Sequence, residues 1–453
     1  MRVFTLLGVV ALTGLLACSK NDSGPQASPQ GKRVLVTPTP PAPAVAQLRS
    51  YTSASTPGPD QPLWLSTVLD LYGSQALLVR LDTAGQLLAS QMIYNATYVP
   101  VAALADGSSL ALGQDGSNAF VFRLNTDGTT AWSKILTNGA GQNRTLTPGN
   151  IVPLGNDALY YGSVGNFNQR GFARIANSGA VQPYATYTFP AKAATFNRVP
   201  AFKPLPAGAG AIMLEQLDDA TFLLSNLDAT GHLRWWQQLN LAGLPATPQT
   251  AKFYDVAVSP TSGNLAVLIG DPTAGQGGAS QLLRFSAAGT LLSATTYTLS
   301  SAPHFVYFGH LAMGAQEEVA WTLESSEWVY YYAVNAQGKI LASKRIANTP
   351  KNSLVSSSYG LLSIGQKGAY GFGTFAGPAP DNAPDTSINF LHISADGQAG
   401  CPTADAPALT GAGATGTRAV GLPVPTAGTL ANGTASYTLY TAPLTLATSP
   451  ACQ

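Results

Sequence analysis

Residues Phe120 to Leu136 read FVFRLNTDGTTAWSKIL. An apolar run, FVFRL, gives way at Asn125 to the bend NTDG, and the chain leaves through TTAWSKIL, where polar and apolar residues interleave. This is the pattern of two short strands joined by a tight turn. A polar side chain accepts a backbone N–H to start the bend, and glycine takes the left-handed conformation that closes it. The unit recurs along the chain: the counterparts of LNTDG are LDTAG ending at Gly85, IANSG at Gly179, LDATG at Gly231, FSAAG at Gly289, VNAQG at Gly338 and ISADG at Gly397. With Gly128, that makes seven copies, spaced 43, 51, 52, 58, 49 and 59 residues apart with a mean of 52. Such a period fits four strands plus their turns. Asp82, Asn125, Asp228, Asn335 and Ser394 are placed to start the turn, and Ala176 is the copy without a polar handle.

Upstream of each turn lies an apolar run, such as ALLVRL, AFVFRL, QLLRF or VYYYAV, as expected for an inner strand buried on both faces. Downstream lies a more polar, alternating strand, such as LLASQMI, WSKIL, LLSATTYTL or ILASKRI, suited to an outer position with one face wet. A second hairpin signal comes earlier in the unit, in VPVAALADGSSLALG from Val99 and DVAVSPTSGNLAVLIG from Asp255. The expected fold is therefore all-β: a seven-bladed β-propeller of four-stranded blades over residues 31–400. Gly31 lies 54 residues before Gly85. KRVLV, Lys32 to Val36, is thus read as the outermost strand of the last blade, donated by the N-terminus to close the ring and remove a free edge. Gln47 to Tyr51 is the alternative donor.

The repeat resembles that of secreted and lipid-anchored propellers with a D-x-x-G-x-x-x-W-x-K motif and, more distantly, quinoprotein-like propellers. Trp132 and Trp235 stand four residues after Gly128 and Gly231, as that motif asks, while the other copies carry Ala89, Pro183, Ser293, Ala342 and Cys401 there. Docking between blades through Trp is thus expected in two blades, with both indoles packed structurally.

The first segment, MRVFTLLGVVALTGLLAC, has one basic residue, Arg2, and an apolar core too short to span a bilayer, as in a secretory signal. Leu15-Leu16-Ala17-Cys18 resembles the lipobox of bacterial lipoproteins. The resemblance implies removal of residues 1–17, acylation of Cys18 and attachment to a membrane through the lipid; a plain signal peptide with an incidental cysteine is the other reading. Residues 18–30 read as a flexible tether reaching roughly 20 Å. Ser19 stands where an Asp would mark inner-membrane retention, so the resemblance implies the outer membrane. Ser19-Lys20-Asn21-Asp22 partly matches a surface-export signal, leaving the cell surface and the periplasmic face both open.

After Gly397 the pattern changes. Residues 401–453 are expected to form a C-terminal β extension packed on the propeller, and use of this tail as a short eighth blade is the alternative architecture. With Cys18 acylated, Cys401 and Cys452 remain as an even pair in an exported protein, which favours a disulfide over two free thiols. Closing a loop of about 50 residues stabilises by roughly 4 kcal/mol in the chain-entropy model.

Composition narrows the function classes. Lys+Arg 23 against Asp+Glu 22 gives a net charge of +1, and no dense basic run follows a phosphate backbone, so nucleic acid is not an expected partner. The four histidines are scattered: His304 and His310 are too far apart on one strand to share an ion, and His232 and His392 are isolated. No haem, zinc or calcium spacing occurs, so no cofactor or metal is expected. Asp218-Asp219 and Glu317-Glu318 are read as exposed turns, and the Asp-box of sialidases fails at NTDGTTAW because Asp127 abuts Gly128. The aromatic segments WTLESSEWVYYY, RWWQQL and LWL are read mainly as core. The expectation is a monomeric binding or scaffold module recognising a protein or glycan, without catalysis. Alternatives are a periplasm-facing envelope-assembly propeller and a polysaccharide hydrolase or lyase.

Overall fold

The computed structural model describes residues 32–36, and residues 52–450 apart from 57–60, 71–73, 95, 97–98, 116–117, 139–145, 165–168, 189–199, 219–220, 241–252, 272–278, 301–307, 325–327, 348–359, 366–367, 379–383, 395–396, 399–402, 407, 414–425, 431, 437–440 and 444–446. Cys18, Cys401, Cys452 and His304 fall outside the described residues, as do Asp219 and the alternative donor Gln47 to Tyr51.

Nearly all of the regular structure is antiparallel β. Sheet I begins with Thr52–Ser55, Leu63–Asp70, Ser74–Leu81 and Leu87–Tyr94. Sheet II follows with Val101–Ala103, Ser109–Asp115, Asn118–Leu124 and Thr130–Asn138. Sheet III uses Leu146–Leu154, Asp157–Val164, Gln169–Ile175 and Tyr184–Thr188. Sheet IV uses Ala201–Pro204, Gly210–Asp218, Thr221–Asp228 and Leu233–Asn240. Sheet V uses Phe253–Val258, Leu265–Asp271, Ala279–Phe285 and Leu291–Leu299. Sheet VI uses Phe308–Met313, Val319–Glu324, Trp328–Val334 and Ile340–Ala347. Sheet VII takes Gly360–Gly365, Gly368–Pro378 and Pro384–Ile393, then the N-terminal Lys32–Val36 as its fourth strand.

The N-terminal strand pairs with the third strand of sheet VII from Lys32↔Phe390 to Val36↔Thr386. First strands of successive sheets touch in order from I to VII, and that of VII touches that of I. First strands therefore lie innermost and fourth strands towards the rim, as in a β-propeller.

The core sits in the seams. Five clusters of buried side chains occur among the described residues, and each joins two consecutive sheets: I with II, II with III, III with IV, IV with V, and V with VI. Sheets II to V are thus covered on both faces, which explains why the apolar runs before their repeat turns are buried along nearly their whole length; Thr221–Asp228 is buried except at Asp228. These runs are the third strand of each sheet, not the innermost one. The fourth strand carries the wet face: Leu291–Leu299 is exposed at its start and alternates near its end.

The repeat turns are built from local polar bonds. Asp82 Oδ1 accepts from the N–H groups of Ala84 and Gln86 (2.9 and 2.7 Å), and Asn335 Oδ1 from Gln337 and Lys339 (3.0 and 2.9 Å). In the Asn125 copy it is Asp127 that takes the N–H of Thr129, at 2.9 Å. All seven repeat glycines have φ between 77° and 86°. Gly231 also needs to lack a side chain, because a Cβ there would lie 2.6 Å from the Cβ of Phe172 on sheet III. The turns dock on the preceding sheet: Trp132 Nε1 donates to Asn177 O (3.0 Å) and Trp235 Nε1 to Ala287 O (3.2 Å). Both acceptors stand two residues before the next repeat glycine. Lys134 Nζ adds a bond to Gly179 O at 3.0 Å.

Two expectations change. The sheets are not simply four-stranded: among the described residues, six of the seven have a fifth strand, supplied each time by the C-terminal tail. Nor do the described tail strands form an eighth sheet of their own. Thr403–Asp405 adds to sheet VI, Leu409–Gly413 to V, Thr426–Leu430 to III, Asn432–Ser436 to II, Thr441–Pro443 to I and Ala447–Pro450 to VII. The physical reason is the unpaired outer edge, whose N–H and C=O groups a neighbouring strand satisfies.

Candidate functional site

The most chemically loaded described group on the inner strands is Lys203, Asp255 and His310, on the first strands of sheets IV, V and VI. Asp255 and His310 share a register, each three residues before the pair that closes its first hairpin, Val258↔Leu265 and Met313↔Val319. Asp255 is buried. Its Oδ1 accepts from the N–H of Val256 (2.8 Å), its Oδ2 accepts from the N–H of Leu311 on the next sheet (2.9 Å), and Lys203 Nζ stands 3.5 Å from Oδ2. The carboxylate therefore satisfies N–H groups of two neighbouring inner strands while an ammonium from a third balances its charge. Lys203 remains 32% exposed and can face a ligand; Asp255, at 6%, cannot.

His310 Nε2 is enclosed and has no hydrogen-bond partner among the described residues, although the residue as a whole is only half-buried. Burial pulls its pKa down to about 4; the charge of Asp255 opposes this and that of Lys203 adds to it. The imidazole is thus neutral at ordinary pH. A base with a depressed folded pKa stabilises the fold fully above its unfolded value and loses that contribution as pH falls through the folded one. Stability should therefore fall between about pH 6.5 and pH 4 by an amount on the order of 3 kcal/mol from this group. Urea denaturation across that range should show a flatter profile for His310→Phe; an unchanged slope would remove His310 as the source.

The other sequence candidates separate. His232 is exposed on a repeat turn, with Nδ1 2.8 Å from Thr230 Oγ1. Glu317 and Glu318 lie in the turn between the first two strands of sheet VI. Glu317 has φ 63°, where the corresponding turn of sheet V has Gly263 at 72°. Its Oε1 accepts from Ser262 Oγ (2.7 Å) and Asn264 Nδ2 (2.6 Å), so it ties the turn of sheet V to that of VI. That tie accounts for a non-glycine residue in this conformation. Trp64, Trp321, Tyr331 and Tyr332 are buried core, whereas Trp235 and Trp236 are half-buried on the outermost strand of sheet IV. No group of three or more His, Cys, Asp or Glu able to hold a metal ion occurs among the described residues.

Sequence reading missed two features. One is the inner-strand group, which depends on the relative register of three sheets. The other is a set of exposed apolar dyads two and three residues after repeat glycines: Leu291-Leu292 (38% and 55% exposed) and Ile340-Leu341 (36% and 47%), with Leu88 at 46%. The signal for these was present in LL and IL directly after the turns.

No family model matches the chain, and no curated protein does. Among solved structures it is similar to the Dos1 propeller, with a TM-score of 0.38 and 11% identity over 79% of this chain and 94% of that one. It is also similar to dihydro-heme d1 dehydrogenase NirN in complex with DHE, with a TM-score of 0.39 and 9% identity over 84% of this chain and 76% of that one. A third is a protein of unknown function from Bacteroides caccae, at 0.35 and 13% over 64% and 91%. The propeller description rests on the cyclic contacts of the chain's own sheets.

Proposed function

We propose that this protein is a seven-bladed, lipid-anchored propeller of the outer membrane that binds a protein partner without catalysing a reaction. The observation that carries the binding reading is the pair of exposed dyads, Leu291-Leu292 and Ile340-Leu341, on the outer strands of the adjacent sheets V and VI. Large apolar side chains repeated at one position on neighbouring sheets suit a protein surface better than a sugar. The seven-bladed reading is supported by the seven glycine-closed repeats and by the cycle of first-strand contacts. The anchor rests on Leu15-Leu16-Ala17-Cys18.

The test uses the full-length protein in its envelope. Cross-linking should capture a defined partner that is lost in Leu292→Glu/Leu341→Glu, with unchanged circular dichroism. Capture should vary little with salt, since the net charge is only +1. A partner retained by that variant overturns the reading, as does turnover of a polysaccharide by the purified protein. The mass of the mature N-terminus should correspond to an acylated Cys18, and protease treatment of whole cells separates a surface location from a periplasmic one.

A further inference from the structure

We infer that a disulfide between Cys401 and Cys452 closes the C-terminal tail into a covalent hoop around the ring of sheets. The inference comes from the order and register of the tail strands and stands apart from the binding reading above. From Thr403 onward the tail covers sheets VI, V, III, II, I and VII in turn, running backwards around the cycle. Every tail strand is antiparallel to the fourth strand it covers. Leu430 and Asn432, at most about 7 Å apart along the chain, pair with Tyr184, the first residue of the fourth strand of sheet III, and with Asn138, the last of the fourth strand of sheet II, so the fourth strand of II ends where that of III begins. The tail therefore travels one way around the circumference, and each fourth strand runs the opposite way, towards the next sheet in the series. The bonds of Trp132 and Lys134 on sheet II to the turn of sheet III point in that same direction.

This direction places the two ends of the tail. Thr403 pairs with Ile346, near the end of the fourth strand of sheet VI and so on the side of sheet VII. Pro450 pairs with Lys32, at the start of the fourth strand of sheet VII and so on the side of sheet VI. Both ends meet at the seam between VI and VII, whose first strands are in contact. Cys401 precedes Thr403 by two residues and Cys452 follows Pro450 by two. Each arm reaches up to about 7 Å. The cysteines lie outside the described residues; the described ends of the tail, Thr403 and Pro450, lie at one seam.

Formation is thiol–disulfide exchange with a disulfide oxidant. Two S–H bonds are lost and one S–S bond forms, while the oxidant's S–S bond breaks and takes up the two electrons and two protons as a dithiol. The hoop then holds a strap whose described residues at 404, 405, 408 and 410–412 are exposed, and which is attached to the sheets largely through backbone bonds. Peeling from either end is blocked while the bond lasts.

Arg418 is the only Lys or Arg after residue 400, so trypsin has a single site in the tail. The full-length protein, purified without reductant and nicked there, should keep the piece from Ala419 to Gln453 until a reductant is added. In Cys452→Ser the same nick should release it at once on denaturation. Alkylation in denaturant should label neither Cys401 nor Cys452 before reduction and both after it. Reduction of the folded protein should speed amide exchange in residues 426–450 at least about tenfold, with the third strands unchanged. Two labelled thiols in the unreduced folded protein overturn the inference, and so does either cysteine bonded to Cys18 or to a second chain.

Discussion

Replacing Arg170 with Met is expected to destabilise the protein by about 3–5 kcal/mol, because it strands a carboxylate between two sheets. Arg170, on the third strand of sheet III, and Glu215, on the second strand of sheet IV, have side chains only 4% and 2% exposed. Arg170 Nε donates to Glu215 Oε1 at 2.9 Å, Nη2 donates to the same oxygen, and Oε2 has no partner among the described residues. Burial holds the Glu215 carboxyl above the ordinary glutamate range, with the attraction of Arg170 working against it.

The sign of the pH effect follows. A carboxyl whose folded pKa is raised favours the fold fully below its unfolded value, and that contribution is lost as pH rises through the folded one. The deficit of Arg170→Met should be small near about pH 4 and grow towards neutral and alkaline pH. Arg170→Met/Glu215→Leu should recover most of the loss, since an apolar pair of similar volume has no charge to desolvate. Urea midpoints of the two variants at acid and alkaline pH decide the matter. Equal stability of single and double variants at high pH would place the cost in packing, not in the orphaned charge.

The pair also shows what a sequence reading reaches and where it stops. The repeat was legible because turn chemistry is local: a polar residue, two spacers and a glycine determine a bend wherever they occur. The closing strand at Lys32–Val36 was legible for a related reason, since its distance from Gly85 matched the period. Arg170 and Glu215 come from different repeats, 45 residues apart, and nothing in either neighbourhood marks the other. The same holds for Lys203, Asp255 and His310. The circumferential tail was hidden for a different reason. Its strands are three to five residues long, rich in Gly, Ala and Thr, and pair through the backbone, so neither periodicity nor apolar content betrays them. Only the edges they cover explain their order.

Trp321→Ala should cost a similar amount, about 3–5 kcal/mol, and should loosen the seam between sheets V and VI more than either sheet alone. Trp321 is 1% exposed on the second strand of sheet VI and belongs to the cluster that side chains of both sheets form. Its ring centroid lies 5.4 Å from that of Tyr297 on sheet V and 5.6 Å from that of Tyr332 in its own sheet. Tyr297 in turn donates from its hydroxyl to Gly338 O (3.1 Å), the glycine of the next repeat turn. Removing the indole thus opens a cavity and frees the ring that anchors this turn. Trp132→Phe is the contrast: it keeps most of a half-buried ring and removes one bond, to Asn177 O, for about 1 kcal/mol. If Trp321→Ala acts through the seam, amide exchange should accelerate in Leu291–Leu299 as well as in Val319–Glu324, although the substitution lies only in the latter. Acceleration confined to sheet VI would show that the sheets are stable one by one, and that the ring is closed by its strands instead of by the side chains between them.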